Sequence, residues 1–292
     1  MTPVDPRVAA FARHVAGLFG DSARAVLFYG SCLRTTELDG QMLDFYVIVS
    51  DYRAAYAKRW LATANRLLPP NVFPVQHGGL QAKYAVLSES DFDRLASSRT
   101  RNVSVWARFA QPTRLVWSRD ADAADRAVRA VAQAAPALLD AALPMLDETI
   151  EPLDLWRGAF ALTYSAELRA ERTGRAASVV DFDPERYRGF TGPALAALGI
   201  EMHAQHDTVA NPRYGMRGAR WQWTRRRIEG KLLTIARLAK ASATYAGGVD
   251  YLAWKINRHA GTEITVRPWQ RRWPLIGALF LLPRLIVRGA VR

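Results

Sequence analysis

Gly30, Ser31 and Asp44 are the residues whose types and spacing could do chemistry together. An apolar run, Val26 to Tyr29, breaks at Gly30-Ser31; a polar loop containing Gly40 then leads into a second apolar run, Phe45 to Val49, headed by Asp44. The pattern reads as strand, phosphate loop, strand. Gly30 lets the backbone turn sharply and approach a ligand closely. Ser31 offers a hydroxyl and an N–H to phosphate oxygens, and Asp44 has the hard oxygens that hold Mg²⁺ against such a phosphate. The plainer alternative is an ordinary turn followed by an acidic loop.

The elements that must position these residues follow from periodicity. Val8, Phe11, Val15, Leu18 and Phe19 recur at helical spacing from Pro6 to Phe19, with Gly20 placed to stop the helix. A second helical pattern runs from Ala54 to Leu68 and closes at Pro69-Pro70. His77-Gly78-Gly79 reads as a turn, Gln81 to Leu87 as a third strand, and Ser88 to Leu95 as a short helix with an N-cap serine. Trp106 to Trp117 reads as a helix end, a proline turn and a short strand. This alternation predicts an α/β domain over residues 1–118.

From Asp120 to about Ile200 the pattern becomes Ala- and Leu-rich helix with no further strand, giving a helical domain over 119–212. Within it, Leu155, Ala159, Leu162 and Ala166 stack on one face of an amphipathic helix that carries Glu167, Arg169 and Arg172 near its far end. Residues 201–224 lack clear periodicity, and His203, His206 and Asp207 there have no second ligand cluster to complete a metal site.

Charge divides the chain. Residues 1–212 hold 23 Lys and Arg against 24 Asp and Glu, whereas residues 213–292 hold 17 against 3. Such a block seeks a polyanion, either nucleic acid or an anionic membrane surface. The apolar stretch from Trp273 to Val287, broken by Pro283 and flanked by Trp269, Arg271 and Arg272, is short for a span and fits an interfacial segment. A C-terminal helix docked on the protein's own core is the structural alternative. Nucleic acid fits less well, because the basic residues adjoin a continuous apolar run rather than isolated stacking aromatics. A single cysteine, Cys32, excludes a disulfide framework and a cysteine zinc site, and fits a reducing compartment. The N-terminus lacks the long apolar core of a signal peptide or a membrane span.

Several segments together resemble the mitochondrial-type phosphatidate cytidylyltransferases, the translocator assembly and maintenance family of CDP-diacylglycerol synthases, within the polymerase-β-like nucleotidyltransferase superfamily. They are Tyr29-Gly30-Ser31; Leu43-Asp44-Phe45-Tyr46; Lys83-Tyr84-Ala85-Val86-Leu87; Asp93, Leu95, Trp106, Arg108 and Pro112; Thr163 to Arg169; and the basic helix from Gly230 to Lys255. The departures are Cys32 for a frequent Gly, Glu167 for an Asp, Ala85 for Gly, and no evident Trp-His and Asn after Asp51.

The resemblance implies an α+β fold in which a nucleotidyltransferase domain and a helical domain precede a basic amphipathic membrane-associating region, residues 213–292. It implies CTP and phosphatidate as substrates, Mg²⁺ as cofactor, an anionic phospholipid membrane as partner with no nucleic acid, and a cytoplasmic protein peripheral on the inner face of that membrane. Asp44 and Glu167 would hold the metal. With Tyr46 where a second strand acid usually stands, Asp44 needs a partner, and Glu167 matches the family's helical acid; pairing of Glu167 with Arg169 or Arg172 is the other reading. Lys83, costly on an apolar strand unless it meets an anion, would contact the triphosphate, with solvent as its alternative. Tyr29, Gly30, Ser31 and Arg175 would complete the nucleotide site.

Overall fold

The computed structural model describes residues 4–35, 37–167, 175–201, 208–244 and 267–268. The fold is mixed α+β. By contact the chain forms two compact units, and both are discontinuous in sequence: 1–92, 112–128 and 233–292 make the first, 93–111 and 129–232 the second.

The first unit opens with α1 (Pro6–Gly17), capped by the Asp5 carboxylate, which accepts from the Arg7 N–H. Then come β1 (Ala23–Tyr29), α2 (Ser31–Thr35), β2 (Met42–Val49), α3 (Tyr52–Ala55), α4 (Arg59–Leu67), β3 (Asn71–His77), β4 (Leu80–Ser88) and α5 (Glu89–Leu95). The sheet is completed from further along the chain by β5 (Thr113–Ser118), in the order β3-β4-β2-β1-β5. Only β2 and β4 run parallel. Leu43, Phe45, Val47 and Val49 of β2 share a core with Val8, Phe11, Ala12 and Val15 of α1, so one sheet face is sealed by the apolar stripe of that helix. The alternate positions Tyr46 and Ile48, with Leu27 and Leu87 beside them, are buried too. With both faces buried, a slip in register would misplace every side chain, and β2 is pinned.

The helix expected over 54–68 is two helices. Tyr56 leaves helical geometry and lays its ring beside Phe19 and Phe73, while its hydroxyl accepts from buried Asn65. Asn65 also donates to the Val86 carbonyl and accepts from the Asn71 N–H, fastening α4 to the sheet. Strand β3 was not expected; Pro74 masks it, and the sheet admits that proline because β3 is an edge.

The second unit carries α6 (Trp106–Phe109), the end of α7 (Ala121–Ala132), α8 (Ala134–Ala142), β6 (Thr149–Ile150), α9 (Pro152–Ala166), α10 (Arg175–Asp181), α11 (Pro184–Ala196), β7 (Val209–Ala210) and the first half of α12 (Ala219–Thr244). Its centre is Trp156, whose indole N–H donates to the Tyr187 carbonyl at 3.0 Å and to Thr191 Oγ1 at 2.9 Å. The β6–β7 ladder corrects the expectation of no further strand: each member has two residues, too few to show alternation, and their partners lie some sixty positions apart. Gly230 lets α12 press on the end of α9, since a Cβ there would meet the Ala166 carbonyl oxygen. The helix stops at that residue, and Glu167 follows in extended geometry instead of continuing the expected helical face. His203, His206, Asp207, Arg169, Arg172 and nearly all of the tail beyond Thr244 lie outside the described residues.

In the first unit, Arg237 Nε donates to the Pro69 carbonyl at 2.9 Å, and Lys240 Nζ donates to the carbonyls of Leu68 and Pro70. Burial, reinforced by the Arg237 charge, lowers the Lys240 ammonium to about 7. A base held below its unfolded value of 10.5 makes the unfolded chain bind more protons between those limits, so folding stability rises with pH from about 7 to about 10.5 through this group. Urea denaturation across that range should show a steeper rise for the native chain than for Lys240→Met; equal slopes would remove Lys240 as the cause.

Candidate active site

Strand register assembles the site. Tyr29 pairs with Asp44 and Asp44 pairs with Lys83, so three of the residues singled out in sequence stand abreast on neighbouring strands. Directly paired residues project from the same sheet face. Lys83 Nζ lies 3.1 Å from Asp44 Oδ1, with side-chain exposures of 35% and 17%. That oxygen is buried and receives no hydrogen bond of good geometry, so the lysine meets it as a neighbouring charge. A half-desolvated carboxylate with an unsatisfied oxygen is a place prepared for positive charge.

Gly30 makes the arrangement possible. Its φ is +95°, and a Cβ on it would lie 2.7 Å from Asp44 Oδ2. The carboxylate therefore rests against the bare α-carbon of the turn that ends β1. Ser31 opens α2 immediately after, a short helix where the sequence reading has only a polar loop. Cys32 faces inward, its thiol toward the Met42 carbonyl, and burial followed by the Asp44 charge pushes its pKa up. A thiol so held is a small core residue and not a nucleophile. Tyr46 stands two residues beyond Asp44, its ring 5.2 Å from that of Tyr29, and fills with a buried aromatic the place a second strand carboxylate would take.

Tyr29, Gly30, Ser31, Asp44 and Lys83 thus belong to one neighbourhood of the first unit. Glu167 caps α9 in the second unit, and Arg175 opens α10 there with its side chain outside the described residues. Among the described residues there is no group of three or more His, Cys, Asp or Glu that could hold a metal. Asp44 alone fits Mg²⁺ by its hard, unsatisfied oxygen, because that ion takes one or two carboxylates and draws its remaining ligands from phosphates and water.

Sequence reasoning missed two features. One is the Gly30–Asp44 contact, which no spacing rule encodes. The other is an open cleft of about 1030 Å³ at the opposite end of β2 and β4, lined by Arg53, Arg59 and Arg66. Its signal was present in the spacing of Arg59, Thr63 and Arg66, one face of a helix.

No protein-family model matches the chain, and no curated protein does. The chain is similar to the crystal structure of a nucleotidyltransferase-like protein from Exiguobacterium sibiricum 255-15, at 11% identity over 98% of this chain and 92% of that one. The TM-score is 0.30, too low for a shared fold to follow from it.

Gly30→Ala should therefore do local damage. The positive φ alone costs on the order of 1–3 kcal/mol, and the methyl displaces the Asp44 carboxylate. Chemical denaturation should show a loss of that size with the circular dichroism spectrum unchanged; a neutral substitution would mean that the turn tolerates a side chain.

Proposed function

We propose that this chain is a nucleotidyltransferase that moves a cytidylyl group from CTP to phosphatidate, giving CDP-diacylglycerol and pyrophosphate at the surface of an anionic membrane. The observation that carries nucleotidyl transfer is the juxtaposition of a glycine turn, a strand carboxylate and a strand lysine in one row, Gly30 on Asp44 beside Lys83. CTP and phosphatidate rest on the resemblance of the Tyr29, Asp44, Lys83 and Thr163 segments and are proposed with it.

In this reading Asp44 and Glu167 would hold Mg²⁺, which would supply positive charge against the triphosphate and the departing pyrophosphate. Gly30 and Ser31 turn backbone N–H groups and a hydroxyl toward the triphosphate, with Tyr29 beside them. Lys83 exchanges its contact with Asp44 for a phosphate oxygen once the nucleotide arrives, and Arg175 adds a second cation. A phosphatidate oxygen attacks the α-phosphorus in line; one P–O bond forms as the bond to the bridging oxygen breaks, and pyrophosphate leaves with that electron pair. The lipid phosphate is already an anion at neutral pH, so positioning and charge neutralisation carry the step without a strong general base. The basic tail, with its apolar stretch 273–287, brings the catalytic unit to the inner face of the cytoplasmic membrane. Among the described residues no helix is long and apolar enough to cross a membrane.

One observation favours a second reading. Tyr46 removes the second strand acid and Lys83 already sits on Asp44, an arrangement that suits a protein binding nucleotide or lipid without turnover. Incubation of the purified protein with each nucleoside triphosphate, Mg²⁺ and phosphatidate micelles, followed by lipid chromatography, separates the two. The cytidylyltransferase forms a lipid product with CTP alone, and Asp44→Asn lowers its rate on the order of 100-fold or more while the fold persists. No product with any nucleotide leaves the silent reading.

Deleting residues 268–292 should weaken flotation with phosphatidate-containing liposomes and lower activity on bilayer substrate, with CTP binding nearly unchanged. High salt should release the intact chain only in part, because the apolar term is not screened. Undiminished flotation of the truncated chain would assign the segment to the core.

A further inference from the structure

We propose that the cleft at the carboxyl ends of β2 and β4 is a second binding site, for a small molecule carrying at least two phosphate groups. It is independent of the site at Asp44. Seven residues of extended chain separate Asp44 from Asp51, which puts the two places roughly 20 Å apart at opposite ends of one strand. The carboxyl ends of parallel strands are where open sheets bind ligands, and β2 and β4 are the parallel pair of this sheet.

The cleft is built for anions. Arg59, Thr63 and Arg66 follow one another at spacings of four and three, so they share one face of α4, and Arg53 comes from α3. None of the three guanidinium groups makes an ion pair or side-chain hydrogen bond with a described residue. The two acids of the lining are already engaged: Asp51 caps α3 by accepting the Arg53 N–H at 2.7 Å, and Asp91 accepts the Tyr52 hydroxyl at 2.6 Å. Three guanidinium groups against the carboxylates of Asp51 and Asp91 leave the lining a formal excess of one positive charge, carried on the Arg59 and Arg66 face, and that excess favours an anion. Guanidinium suits phosphate because its fork donates two parallel bonds.

More than one phosphate is implied by spacing and by room. Arg59 and Arg66 stand seven residues apart, about 10 Å along the helix axis, so each is matched by its own phosphate more readily than both by a shared one. A volume of about 1030 Å³ is at the upper end for small-molecule sites, enough for a molecule of nucleotide size.

The test uses the full chain in EDTA, with inorganic pyrophosphate and orthophosphate as probes. Calorimetry should show pyrophosphate binding, on the order of tenfold weaker for orthophosphate and for Arg59→Gln/Arg66→Gln. Asp44→Asn/Lys83→Met should keep the pyrophosphate binding that Arg59→Gln/Arg66→Gln weakens, whatever it loses at the Asp44 site, which keeps this site distinguishable from the proposed active site. Hydrogen exchange should slow in peptides covering 52–67 and 88–91 when pyrophosphate is added. All three arginines are exposed, so the double variant should melt with the native chain; should it not fold, Arg53→Gln replaces it. The proposal is overturned if the arginine variants bind unchanged, if protection is confined to 29–44, or if a twenty-nucleotide RNA protects the cleft while pyrophosphate does not.

Discussion

A carboxylate kept mostly out of water, with one oxygen against a bare α-carbon and the other beside an ammonium, is the constraint on which the first unit turns. Lys83 stands 3.1 Å from one oxygen of Asp44, and the carboxylate reaches that depth only because residue 30 has no side chain. Gly30 follows the end of β1 while Asp44 and Lys83 lie on β2 and β4, so the arrangement exists only when those three strands hold one register. The apolar alternation that buries Leu43, Phe45, Val47 and Val49 under α1 is what fixes it. Local chemistry and global packing are therefore one specification, and a slip by a single residue would bury Asp44 on the α1 face and turn Phe45 to its place.

That coupling explains what could be read from the sequence and what could not. Val26 to Tyr29, Phe45 to Val49 and Gln81 to Leu87 announce themselves because each is an apolar run cut by turn residues, and the row of Tyr29, Asp44 and Lys83 follows once they pair. Helix α1 shows its stripe for the same reason. Strand β3 hides behind Pro74, tolerable only because its outer edge has no neighbour, and edge position belongs to the whole sheet rather than to the segment. The break between α3 and α4 is likewise decided elsewhere, by the aromatic surroundings that draw Tyr56 out of the helix.

Glu167 shows the limit of periodicity more sharply. Its segment keeps helical spacing past Ala166, yet the helix ends there, at the point where Gly230 of α12 approaches backbone to backbone, sixty-odd residues later in the chain. Propensity carries the helix from Pro152 to Ala166 and gives way at Glu167, since tertiary contact supplies most of a helix's stability. The compact units themselves are stitched from separated segments, with Pro112 to Val128 returning to the sheet after an excursion of nineteen residues, so composition shifts along the chain do not mark their borders.

The sheet, finally, has two chemically opposite ends. At the start of β2 it offers a carboxylate beside the Lys83 ammonium; beyond the ends of β2 and β4 it offers three guanidinium groups that pair with no described residue. Strand pairing cannot produce that polarity, because the ladder's own dipoles largely cancel. It comes from what the sequence attaches at each end: a glycine turn that admits Asp44, and a broken helix whose second half turns Arg59 and Arg66 to one side. Tyr56 is the residue that links these choices. By leaving the helix to bury its ring it frees α4 to take its own direction, and the same move that fastens α4 to the core through Asn65 sets the arginine face at the cleft.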